Sequence, residues 1–178
     1  IPAGWEVGII DHIADITTGK LDSNAEVLGG KYPFFTCSQN PTTIDNYAFD
    51  DNVILIAGNN ASGNFHINRY KGKFNAYQRT YIVTSKNNIY LEYLYQVLKE
   101  ETQLLKNQGK GSQTKFLTLG MLTGIKIFTK TSDLISKFYE LVDPIYTKIH
   151  LNNQENQQLT QLRDWLLPML MNGQITVK

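Results

Sequence analysis

Cysteine is all but missing from this chain of 178 residues, which carries Cys37 and no other thiol. A lone cysteine excludes an intrachain disulfide framework and any zinc site built from several thiolates. Histidine is scarce as well, and His12, His66 and His150 stand too far apart for a paired metal-ligand spacing. No apolar run approaches the roughly 18 residues that a membrane span requires. The opening Ile1-Pro2-Ala3-Gly4-Trp5 lacks the basic flank and apolar stretch of a secretion signal. The chain is therefore expected to be soluble and cytoplasmic, with no metal, no cofactor and no membrane partner. Disorder is not expected, because 42% of the residues are hydrophobic and 8 Phe and 10 Tyr are present.

Catalytic constellations are missing too. Gly58 to Gly63 has the glycine spacing of a phosphate loop, but Asn64-Phe65 replace the Lys and Ser/Thr that would hold phosphate and magnesium. Tyr32-Pro33-Phe34-Phe35 is similar to the motif with which amino-methyltransferases grip a base, yet its amide or acid is absent. Gln113-Thr114-Lys115 imitates the tail of a nuclease motif without the carboxylate pair that two-metal chemistry needs. Ser62 lies in no nucleophile elbow, and Asp50-Asp51 reads as a solvated turn. The chain is not expected to be an enzyme.

What is present divides into two parts. Trp5 to Ile16 reads as a short amphipathic helix or a turn-rich opening, and residues 17–31 as a loop. Tyr32 to Cys37 reads as a strand whose proline favours a sheet edge or a strand start. The compact Val53-Ile54-Leu55-Ile56 run is the best candidate for a buried strand, with a turn over 58–63. Further strands are expected over 64–70 and around Thr80-Val83. Leu91, Leu94, Tyr95, Leu98, Thr102 and Leu105 fall at helical spacing, and Gly109 and Gly111 stop that helix. A short helix or turn and a last strand over 124–128 complete an α/β (α+β) globule, residues 1–132.

Residues 133–178 change character. Phe138, Val142, Ile145, Ile149, Asn152, Asn156, Leu159, Arg163, Leu166 and Leu170 follow alternating steps of four and three, the coiled-coil template, and Leu162 thickens the stripe. Pro144 either opens this helix or kinks a longer one, giving a rod of about 42 or about 58 Å at 1.5 Å per residue. Neither fits wholly against a globule of roughly 30–35 Å, so the helix is expected to pair with a second one.

Charge is distributed unevenly. Residues 1–60 hold 2 basic and 8 acidic side chains, residues 61–132 hold 11 and 3, and residues 133–178 hold 4 and 5. A middle segment of net +8 suits a polyanion, although a solvated lysine surface gives the same count. Within it, Arg69, Lys71, Lys73, Gln78 and Arg79 interleave with aromatics. Lys106, Lys110, Ser112, Gln113 and Lys115 form a glycine-rich, cationic stretch. Together with Asn59 and Asn60 they are the candidate DNA contacts, since Arg and Lys hold phosphates and Arg, Asn and Gln read purine edges.

As a whole the chain resembles the specificity subunit of type I DNA restriction–modification systems. Pro2, Gly4 and Trp5, followed by Thr18-Gly19, are similar to the start of that family's target-recognition domain. Tyr32-Pro33-Phe34, Ile56-Ala57-Gly58 and Phe74-Asn75-x-x-Gln78 resemble its core. Ser112-Gln113-Thr114-Lys115, leading to Leu119 and Ile125-Lys126-Ile127, resembles the segment before its spacer helix. The most specific stretch is Asn153-x-Glu155-Asn156-x-x-Leu159-x-x-Leu162-Arg163-Asp164-x-Leu166-Leu167-Pro168-x-Leu170-x-x-Gly173-x-Ile175. The resemblance implies a non-catalytic subunit that reads half of a bipartite site on double-stranded DNA. It would position an adenine methyltransferase and, with further subunits, a translocating nuclease. The family pattern has two recognition domains and two antiparallel helices, whereas this chain has one of each. A homodimer through Phe138, Val142, Ile145, Ile149, Leu159, Leu162, Leu166 and Leu170 is therefore expected. The competing reading keeps the coiled coil but makes the chain an adaptor for a protein partner, without sequence-specific DNA binding.

Overall fold

The computed structural model describes residues 5–60, 63–108, 115–130 and 133–174. Two compact units are distinguished, Ile1–Glu140 and Leu141–Lys178.

The first unit is built on a six-stranded mixed sheet. Its strands are β2 (Ala14–Thr18), β3 (Tyr32–Phe35), β4 (Thr42–Ile44), β5 (Phe49–Ala57), β7 (Ile67–Ala76) and β8 (Thr80–Ser85). They lie in the order β2-β8-β5-β7-β3-β4. Two ribbons flank it: β1 (Trp5–Ile9) pairs with β10 (Lys126–Lys130), and β6 (Asn59–Asn60) pairs with β9 (Lys115–Phe116). Helices α1 (Leu91–Gln108) and α2 (Leu119–Thr123) complete the unit.

The central apolar run is continuous because β5 is covered on both faces. Ile54 and Ile56 point to one core with Val83 and the α1 residues Leu91, Leu94 and Leu98. Val53 and Leu55 point to a second core with Phe35, Phe74, Ala76 and Ile82. Strand alternation divides the run between the two sides.

The second core exists because the β5–β7 hairpin folds back. Phe49 pairs with Phe74, while Ala57 pairs with Thr80. Those β5 residues are eight apart, about 26 Å along a straight strand. Yet Ala76 and Thr80 are joined by a connection that spans at most about 14 Å. Both registers hold only if the hairpin curls over the sheet. Gly72, opposite Asp51 at φ 128, supplies a backbone conformation that side-chain-bearing residues rarely adopt.

Two sequence expectations are corrected here. Trp5 to Ile16 is not an amphipathic helix. It forms β1, a single 3-10 turn over Ile10–His12 and then β2. Its apolar positions mimic helical spacing, but β1 is recruited by β10, more than 110 residues away. Tyr32–Phe35 is not an edge strand, since β3 lies between β4 and β7. Pro33 is tolerated as part of a strand start, because pairing with β7 begins only at Phe34.

Helix α3 runs from Asp133 to Met171 with Pro144 and Pro168 inside it. The longer reading therefore holds, and Pro144 does not begin the helix. Lacking an N–H, Pro144 leaves the Glu140 carbonyl without its i+4 donor. The helix ends in a Schellman-type turn: Gly173 adopts φ 68, and the Gln174 N–H reaches the Met169 carbonyl at 2.9 Å. Of the described residues in the second unit, Leu141 to Gln174, none is buried. Ile145, Ile149, Leu159, Leu162 and Leu170 are all exposed, and Val142 and Leu166 are half-buried.

Candidate nucleic-acid interface

One rim of the sheet gathers several of the expected contacts through its backbone. The chain leaves β5 at Gly58, whose N–H donates to the Arg79 carbonyl at 2.8 Å. A Cβ on Gly58 would stand 2.5 Å from that same oxygen, so glycine is required for the approach. The Gly58 carbonyl accepts from the Leu117 N–H at 2.8 Å, and the Tyr81 hydroxyl donates to the Leu117 carbonyl at 3.0 Å. Asn59 and Asn60 then pair in register with Phe116 and Lys115. Gln78 and Arg79 occupy the tight turn between β7 and β8, closed by Thr80 N–H to Tyr77 O at 2.8 Å. Both side chains are exposed.

The loop after β3 joins this rim. The Cys37 thiol lies 3.7 Å from the Arg79 carbonyl. Burial pushes that thiol up from its ordinary range, against smaller opposing contributions from the Asn59 and Gly58 backbone and the Arg79 charge. Two residues on, the Gln39 carbonyl accepts from the Asn68 side chain at 3.5 Å. The backbone thus draws Asn59, Asn60, Gln78, Arg79 and Lys115 to one place.

The other sequence candidates separate from it. Arg69 is committed elsewhere: its Nη2 and Nε reach Glu92 Oε1 at 2.8 and 3.2 Å, and its Nη1 donates to Asn52. Arg69 is 10% exposed and Glu92 0%, so this guanidinium holds α1 to the sheet and does not serve as a surface contact. Glu92 lies in the first turn of α1, where a carboxylate also suits the helix dipole. Its Oε2 is buried without a hydrogen-bond partner.

Lys71 and Lys73 lie further along β7, opposite Asn52 and Asp50. The Lys73 ammonium sits 4.6 Å over the Tyr47 ring. Its pKa is raised, first by its side-chain interaction with Tyr47 and less by the Asp50 charge. Lys106 lies in the last turn of α1. Lys110, Ser112 and Gln113 lie outside the described residues.

Sequence reading missed a concave site beside the rim. Between α1 and the segment leading into β7 is a cavity of about 360 Å³, lined by Gln39, Asn64, His66, Lys99 and Gln103 over Phe65, Ile67, Tyr95 and Thr102. Its polar residues come from three separate segments, none of which is conspicuous alone.

The family model described as type I restriction modification DNA specificity domain matches residues 2–161. The chain is 33% identical over 180 residues to the type I restriction enzyme EcoDI specificity subunit of Escherichia coli, covering 99% of this chain and 40% of that protein. It is 26% identical to the HindI specificity subunit of Haemophilus influenzae, covering 98% and 42%. The chain thus spans less than half the length of these relatives. Among solved structures, the type I S subunit from M. genitalium superposes with a TM-score of 0.63 at 16% identity, covering 92% of this chain and 45% of that one. The HsdS subunit from Thermoanaerobacter tengcongensis gives 0.55 at 16% identity, covering 98% and 46%. At such identities these two likenesses concern the fold alone.

Proposed function

The chain belongs to the type I restriction–modification DNA specificity family, and we propose that it reads one half of a bipartite DNA site for an adenine methyltransferase. It does no covalent chemistry itself. The observation that carries the reading is the rim, where Asn59, Gln78 and Arg79 are brought together on a rigid sheet. These side chains are of the types that hold phosphates and read purine edges. A turn of three residues, fixed by backbone bonds on both sides, presents Gln78 and Arg79 with little backbone freedom to lose on binding.

The second half of the site is read by a second copy of the chain. Support comes from the second unit, whose described residues bury nothing while Ile145, Ile149, Leu159, Leu162 and Leu170 recur along the helix. A helix with an exposed apolar seam is stabilised by pairing, and its heptad spacing suits a coiled coil. Relatives more than twice as long as the matched segment have room for two such units in one chain. The assembly acts in the cytoplasm with the methyltransferase and, for cleavage, a translocating nuclease. No helix among the described residues is long and apolar enough to cross a membrane.

Mapping methylated adenines in a host that carries this chain and its methyltransferase tests the reading. An interrupted palindrome is the expected motif, and Arg79→Ala should relax it at the equivalent position of each half. Methylation with no sequence preference, or a motif untouched by rim substitutions, would remove the assignment.

A further inference from the structure

The cavity beside the rim has a composition that suits one kind of ligand. Gln39, Asn64, His66, Lys99 and Gln103 all present N–H donors, and no carboxylate lines it among the described residues. Thr102, by contrast, spends its hydroxyl on the Leu98 carbonyl at 2.9 Å. Four donor side chains around one ammonium favour an anion with several acceptor oxygens.

Its position identifies the source of that anion. On α1, Lys99, Gln103 and Lys106 are spaced i, i+4, i+7, so they form one stripe along the helix. Across the cavity, Gln39 belongs to the loop whose Cys37 touches the Arg79 carbonyl. His66 is anchored next to the rim by its carbonyl, which accepts from the Ala57 N–H at 2.9 Å. The cavity therefore lies between the reading turn at Arg79 and the last turn of α1, which carries Lys106. A strand crossing from one to the other passes over it.

We propose that this cavity seats a backbone phosphate of the bound duplex, with Lys99 as the charge and Gln39, Asn64, His66 and Gln103 as surrounding donors. The proposal rests on the DNA-reading function above and adds a contact that positions the duplex without reading its sequence. Phosphate contacts of this kind fix register so that neighbouring side chains can reach base edges.

The test is the salt dependence of duplex binding by the full chain together with its methyltransferase. Each lost phosphate contact reduces the slope of log K against log salt by about 0.9. Lys99→Gln should make the slope shallower by that amount and weaken binding several-fold at low salt, equally for every sequence tried. Asn64→Asp, which places a carboxylate in the same cavity, should weaken binding further while leaving the melting temperature nearly unchanged. An unchanged slope in Lys99→Gln would overturn the proposal. So would an equal loss in Lys31→Gln, which removes an exposed lysine outside the cavity. Binding of millimolar inorganic phosphate that depends on Lys99 but leaves duplex affinity unchanged at constant ionic strength would overturn it too, assigning the site to the free anion. If the unsubstituted protein binds no duplex at all, the DNA-reading function itself fails, and this proposal with it.

Discussion

Replacing Arg69 by Met should be one of the most costly single changes in the molecule outside the apolar cores. The substitution keeps much of the side chain's apolar stem but removes the cation that, among the described residues, pairs with Glu92, whose side chain has 0% exposure. One Glu92 oxygen already has no hydrogen-bond partner, so the carboxylate would then be left buried with neither oxygen paired to a cation. Breaking a buried pair from one side costs about 3–5 kcal/mol. At roughly 3 °C per kcal/mol for a domain of this size, the melting temperature should fall by roughly 9–15 °C. The same argument makes the double variant Arg69→Met, Glu92→Leu better than the single one, because both desolvated charges go at once. Apolar replacement of a whole buried pair is often neutral or stabilising. Asn52, half-buried, can turn to water when its guanidinium partner leaves. Urea unfolding of the wild type, both single variants and the double variant gives the coupling directly. A cost below about 1 kcal/mol for Arg69→Met would place the pair among solvent-screened surface bridges and refute the reasoning. A double variant no more stable than Arg69→Met would refute it equally.

Other expectations are narrower. Gly58→Ala should destabilise the fold and blunt DNA binding together, because the new methyl meets the Arg79 carbonyl at 2.5 Å and must push the reading turn aside; normal melting and normal affinity would show that the approach is not rigid. Ile149→Asp should convert the expected dimer to monomers in sedimentation at tens of micromolar, with the melting of the first unit unaltered; a persistent dimer would exclude this seam. The Cys37 thiol, pushed up mainly by burial, should stay protonated at pH 8 more fully than a free cysteine, so alkylation there should be slow and accelerate as pH rises. Alkylation at the rate of an unstructured thiol would contradict that.

What could be read from the sequence depended on how far each cause lay along the chain. The Val53–Ile56 run and the α1 periodicity are local signals, and both elements fold where their spacing indicates. Trp5 to Ile16 went astray because its partner strand lies beyond residue 125, and pairing at that distance overrides local periodicity. Arg69 looked like a phosphate contact among its cationic and aromatic neighbours. Its true partner, Glu92, stands 23 residues later on another element. Gln78 and Arg79 stand out in the sequence as an amide and a cation among aromatics, but the turn that exposes them is set by the pairing of β7 and β8 with their neighbours. The cavity was not legible, since Lys99 stands beside Glu100 and Glu101 in sequence and only the helix turn separates their faces.

The β1–β10 ribbon has a consequence for how such a unit can travel between proteins. Glu6 lies opposite Thr129, and Val7 opposite Phe128, so the polypeptide enters and leaves the globule through two adjacent strands about 5 Å apart. A body whose two attachment points coincide can be cut out of one polypeptide and spliced into another without stretching either. Its host needs to supply only a gap of one strand's width. Exchange or tandem duplication of the whole unit then requires no redesign of its core, and the rim proposed to read DNA travels with it as a cassette.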